Sequence, residues 1–201
     1  NNMRLFGHAL VWHYGLPKWI LKTTDEKGAE WADHFLRKYI DTVVKRYKKQ
    51  VVAWDVVNEA FDTQTGEYRK TYWYETFGKV YIEKAFHYAH SADPEAKLFY
   101  NDFGQEKYPK KSKAIVAMVN DFKNRNVPIH GIGLQMHLEM ATSEEEIAQA
   151  LKLAASTGLL VHISELDIIF NTHNDENASG KQAITELTEE MRQAQAEKFK
   201  Q

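Results

Sequence analysis

The 201 residues are enough for one domain with a sizeable core, and 43% hydrophobic with 27% charged residues is a globular composition. Twenty-six basic and 28 acidic side chains give a net charge of −2, which argues against nucleic acid or an anionic membrane as partner. Cysteine is absent, so disulfide frameworks and thiolate metal sites are excluded, and no apolar run reaches transmembrane length.

A first short apolar run, Arg4–Leu10, reads as a strand and contains or precedes His8, Trp12 and His13. Trp31–Lys48 reads as a helix, with Trp31, Phe35, Tyr39, Val43 and Tyr47 at a spacing of four. A second strand, Val51–Val57, ends in Asn58 and Glu59. The helical pattern Trp73–His90 stops before Asp93-Pro94. A third strand, Lys97–Tyr100, ends in Asn101 and Asp102, and a helix over Ser112–Asn124 follows. The fourth strand, Gly131–Leu134, delivers Gln135 and His137. Ser143 and Glu146 then form a capping box that opens a helix to Ser156. The fifth strand, Leu159–Ile163, leads to Glu165 and Asp167, and a last helical pattern covers Ala183–Lys198.

Strand and helix alternate five times, which predicts an α/β fold with a parallel sheet, either open and doubly wound or a piece of a barrel. No Gly-rich phosphate loop follows a strand, which weakens the nucleotide-binding version. All five strands carry functional-looking side chains at their C-terminal ends. In a (β/α)8 barrel that is the face that hosts active sites.

Glu59 and Glu165, delivered to one cleft by different strands, are the minimum for glycoside hydrolysis. One carboxyl must be protonated to assist the leaving oxygen; the other must be ionised to attack the anomeric carbon or to activate water. Each of these residues also has an ordinary structural reading. A lone Glu at a strand end is often a cap or ion-pair residue, Asn58 a turn residue, and Trp12 core. His130 and His162 read as packing or surface residues; His34, His87 and His90 belong to helices and His173 to a polar loop. A metal site would need His8, His13, Asp102 and His137 to converge. The sequence lacks H-x-H and H-E-x-x-H spacing, which argues against a metal-dependent hydrolase.

Five motifs, GHALVWH (7–13), WDVVNEAF (54–61), YNDFGQE (100–106), GIGLQMHL (131–138) and ISELDI (163–168), occur in this order. They resemble the successive strand-end motifs of glycoside hydrolase family 10, the retaining endo-1,4-β-xylanases on a TIM barrel. GEYRKTYWYETFG (66–78) is similar to a further stretch of that family, with Thr71 where Ser is usual. The resemblance implies a xylan or xylo-oligosaccharide substrate and no cofactor. It makes Glu59 the general acid/base and Glu165 the nucleophile. His8, Trp12, Asn58, Gln135 and His137 would line the subsite of the cleaved sugar, with Asn58 on its 2-hydroxyl and Trp12 on its apolar face. Asp167 would orient His137 toward the nucleophile. Retention further implies carboxyl groups roughly 5–5.5 Å apart.

Phe103-Gly104 depart from the family's Tyr-Asn, which removes a hydroxyl and an amide from the leaving-group side of the cleft. The five strands match the third to seventh of the family's barrel. The expectation is therefore a partial TIM barrel over residues 1–201, lacking the first two strands and the last. Its partners would be the remaining barrel segments or an inserted carbohydrate-binding module. A non-catalytic xylan-binding fragment is the main alternative. Because xylan lies outside the cell, a secreted or cell-surface parent protein is expected.

Overall fold

The computed structural model of the protein describes residues 3–170 and 186–200. In chain order the elements are β1 (Leu5–Gly7), α1 (Lys18–Arg46), β2 (Val51–Asn58), α2 (Tyr72–Phe77) and α3 (Val80–Ala92). They continue with β3 (Lys97–Asp102), α4 (Pro109–Asn124), β4 (Gly131–Leu134), β5 (His137–Glu139) and α5 (Glu144–Ala155). The last are β6 (Leu160–Ile163), β7 (Asp167–Ile169) and α6 (Glu189–Lys198).

β1, β2, β3, β4 and β6 form one parallel sheet in that spatial order. A doubly wound sheet would reverse its order at a switch point; this one runs in a single direction, as a barrel wall does. The sheet is also rolled. Flat spacing would put β1 and β6 about 19 Å apart, four strand separations. Instead the Phe6 ring of β1 stacks on His162 of β6 at 4.3 Å, and Phe99 of β3 packs within 5.1 Å of Phe6 and 5.9 Å of His162. These three come from alternate strands, the layering found inside TIM barrels.

The helices cover the outer face, α1 against α3 and α4 against α5. Ala32, Leu36, Ile40 and Val44 form the buried stripe of α1. The more conspicuous aromatic stripe, which gave the helix its spacing of four in the sequence, lies one residue round the helix. There Trp31 stacks on Phe35 and Phe35 on Tyr39, while Tyr39 and Tyr47 are exposed. α1 also begins earlier than predicted, at Lys18, and is broken at Gly28, whose φ of 79° no helix accommodates. The expected helix Trp73–His90 is likewise two helices, divided where Gly78 turns to φ 62°. The Ser143–Glu146 capping box is present: Glu146 N–H donates to Ser143 Oγ (3.2 Å) and Ser143 N–H to Glu146 Oε2 (2.7 Å). Of the last predicted helix, 183–185 lie outside the described residues, as does His173.

The apolar run Leu159–Ile163 reads as a buried parallel strand, but in β6 Leu160, Val161 and Ile163 are all exposed, as befits the edge of the rolled sheet. Close approach inside the wall is allowed by Gly133 of β4. A Cβ there would lie 2.2 Å from Asn101 Oδ1 and 3.3 Å from Asn101 Cα. Gly133→Ala is therefore expected to displace Asn101 and to lower unfolding free energy by about 1–3 kcal/mol, read from urea unfolding.

Candidate active site

The sheet's hydrogen-bond ladder continues past the regular strands and levels the residues at their tips. Glu59 N–H donates to Asn101 O (3.0 Å), Gln135 N–H to Asp102 O (2.9 Å) and Glu165 N–H to Gln135 O (3.1 Å). Four neighbouring strand ends, those of β2, β3, β4 and β6, are thus tied in series. Glu59 itself has φ 58°, a left-handed conformation that costs a non-glycine residue about 1–3 kcal/mol. A cleft of about 470 Å³ opens over these tips, lined among others by Trp12, Glu59, Phe103, Gln135, His137 and Glu165.

Amides connect the two glutamates. Gln135 Nε2 donates to Glu59 Oε1 (3.0 Å) and to Asn58 Oδ1 (3.2 Å), while Asn58 Nδ2 donates to Glu59 Oε1 (3.2 Å). Asn101 Nδ2 donates to Asn58 Oδ1 (3.1 Å) and to Glu165 Oε1 (2.9 Å), and its own Oδ1 accepts from Ser164 Oγ (2.8 Å). Oε1 of Glu59 thus accepts two amide bonds.

Glu165 sits in a different field. His137 Nε2 lies 3.3 Å from Glu165 Oε2, and His137 Nδ1 lies 3.0 Å from Asp167 Oδ1. Flanked by two carboxylates, the imidazole is pushed up to about 9, chiefly by its bond to Glu165. The same bond, then Asn101 and His8, hold the Glu165 carboxyl below its ordinary value despite partial burial. His8 Nδ1 bonds Asp55 Oδ2 at 2.9 Å and lies 4.0 Å from Glu165 Oε1. The Asp55 bond raises the His8 pKa, whereas burial raises that of Asp55. Glu106 is a third carboxyl at the cleft, and burial raises it too.

All the residues singled out in the sequence, His8, Trp12, Asn58, Glu59, Gln135, His137, Glu165 and Asp167, therefore gather at one end of the sheet. The grouping of His8, His13, Asp102 and His137 considered for a metal does not form. Asp102 is fully buried on Lys111, and His8 is committed to Asp55. Sequence reading passed over Asn101 as a ligand of Glu165, and Asp55, a charge inside an apolar strand, was the available signal for the His8 partner. His137 and Asp167 face each other because β5 and β7 pair in register, His137 with Asp167, a small sheet that periodicity did not reveal.

At the departure from the family pattern, Phe103 and Gly104 line the cleft beside Tyr108. A Cβ on Gly104 would come within 2.7 Å of the Tyr108 ring, so the glycine gives that ring its place.

The whole chain, residues 1–201, matches the family model described as Glycosyl hydrolase family 10. An endo-1,4-beta-xylanase of Geobacillus stearothermophilus is 38% identical over 199 residues, 97% of this chain and 59% of that protein. Endo-1,4-beta-xylanase A of Caldicellulosiruptor sp. (strain Rt8B.4) is 41% identical over 204 residues, 96% of this chain and 30% of that protein. The crystal structure of xylanase XynB from Paenibacillus barcinonensis complexed with a conduramine derivative superposes with a TM-score of 0.87 at 38% identity. That match covers 98% of this chain and 59% of the other. The chain spans at most 59% of each of these three relatives.

The raised pKa of His137 fixes a sign for the effect of pH. Its ion pairing stabilises the fold in full below about pH 6.5 and is lost as pH rises through about 9. An NMR titration of the imidazole should give a midpoint near 9 that falls in Asp167→Asn. The urea midpoint should decline over the same alkaline range.

Proposed function

The chain belongs to glycosyl hydrolase family 10, and from that premise we propose that it carries the catalytic pair of a retaining endo-1,4-β-xylanase. Its five strands would act as part of a closed eight-stranded barrel. The observation that carries this reading is the unequal treatment of two carboxyls facing one cleft. Glu165 is paired with the His137 imidazole, which holds its carboxyl below the ordinary value, whereas Glu59 accepts through Oε1 from the neutral amides of Asn58 and Gln135.

In the proposed reaction Glu59 donates its proton to the glycosidic oxygen while Glu165 attacks the anomeric carbon. The bond to the leaving sugar breaks and a glycosyl ester with Glu165 forms. Glu59, now a carboxylate, takes a proton from water, which attacks the same carbon and releases Glu165. Two inversions give net retention, for which carboxyl groups about 5–5.5 Å apart are required. The second N–H of Asn58 would meet the sugar 2-hydroxyl, and the exposed Trp12 ring would lie against its apolar face. Because xylan lies outside the cell, the parent protein would be secreted or held at the cell surface.

Xylan and a soluble cellulose, assayed for reducing ends, test the substrate. Glu165→Gln should abolish turnover on xylan while leaving xylo-oligosaccharide binding largely intact. Glu59→Gln should slow xylan hydrolysis by about 10²–10⁴-fold, and NMR should show the β-anomer as the first product. An α-anomer would exclude retention, and loss of activity on chelation would favour a metal-dependent hydrolase.

A further inference from the structure

Beneath Glu59 lies a polar array that neither faces solvent nor lines the cleft. Lys111, from the first turn of α4, and Asp102, at the end of β3, are both fully buried, with Nζ 2.7 Å from Oδ1. The ammonium also lies 3.7 Å from the centre of the Phe103 ring. Asp102 Oδ1 accepts from Phe103 N–H at 2.9 Å, and Asp102 Oδ2 accepts from the Tyr100 hydroxyl at 2.5 Å. That hydroxyl in turn accepts from the backbone N–H of Ala60 at 2.8 Å.

A buried ion pair contributes little net stability, because both charges lose their hydration. What it can supply is a fixed geometry. Phe103 joins the array to the cleft lining, and the Tyr100–Ala60 bond joins it to the backbone at Glu59, because Ala60 follows the residue held at φ 58°. On the other side of Glu59, its own N–H is held by Asn101 O. The peptides before and after Glu59 are thus both clamped to β3, the first by backbone and the second by a side chain.

We propose that Lys111, Asp102 and Tyr100 are positioning residues for the proton donor. Lys111 pins Asp102, Asp102 orients the Tyr100 hydroxyl, and the hydroxyl locks the Ala60 amide, holding Glu59 in its left-handed conformation with its carboxyl aimed into the cleft. This deepens the reading of Glu59 as acid/base and rests on it. The array touches no substrate, so its effect is on aim rather than on binding.

Tyr100→Phe removes the one hydroxyl and keeps the ring that packs edge-on against Phe61. Two measurements test it. The first is amide exchange in the purified chain. Exchange at Ala60 should accelerate about 10-fold or more, the loss of one buried hydrogen bond, while Leu98 and Ile132 keep their protection and report an intact fold. The second is kinetic. A proton donor matters for a poor leaving group and hardly for a good one. The variant should therefore lose about 10–100-fold in kcat on xylan with KM little changed, yet hydrolyse dinitrophenyl xylobioside at close to the wild-type rate. Equal losses on both substrates, or unchanged exchange at Ala60, would overturn the proposal. If the unaltered chain cleaves neither substrate, these five strands alone do not assemble the active cleft, and exchange at Ala60 decides the clamp.

Discussion

Asn58, Asn101 and Gln135 hold the carboxyls of Glu59 and Glu165 in relation to each other, and the rest of the site depends on that amide lattice. Each amide donates to two acceptors or accepts from two donors, so no member can rotate without orphaning a neighbour. The three amides come from the tips of three adjacent strands, and sheet register sets their spacing. Barrel geometry thereby becomes chemical geometry: a parallel ladder puts strand ends level, and level ends let short amide side chains reach sideways.

The same lattice gives two like residues in one cleft different surroundings. Glu165 receives a charged donor from His137 and a neutral one from Asn101, both favouring the carboxylate. Around Glu59 the donors are neutral, and its backbone conformation is unfavourable by itself. A residue that is strained and clamped from both sides is held where the surrounding structure wants it. Such positions collect at functional sites because only there is the strain useful.

Much of this was legible in the sequence because apolar runs that stop abruptly at Asn58-Glu59, Gln135 or Glu165 leave few explanations for the polar residue. The βα order was legible for the same reason. Other features were hidden by local rules that tertiary structure overrides. On α1 the aromatic stripe outshines the aliphatic one in any hydrophobicity pattern, yet aliphatic Leu36, Ile40 and Val44 are the residues buried in the core. Lys111 lies within Lys110-Lys111-Ser112-Lys113, which reads as a solvated helix start, and only the fold shows that it points into the protein. Asn101 was visible at its strand end, but its partner is 64 residues away, and no spacing rule joins them. Strands β5 and β7 are three residues each, too short to impose a period.

That short pair constrains how the sequence can change. Because strand partners are fixed residue by residue, His137 meets Asp167 only while the number of residues from Leu134 to His137 and from Ile163 to Asp167 stays as it is. A one-residue deletion in either connection would set His137 against a hydrophobic neighbour of Asp167 and turn the carboxylate to the opposite face. Point substitutions in these two connections change one contact at a time. Insertions and deletions would uncouple the imidazole from its carboxylate outright, so drift in this region should proceed by replacement and almost never by change of length.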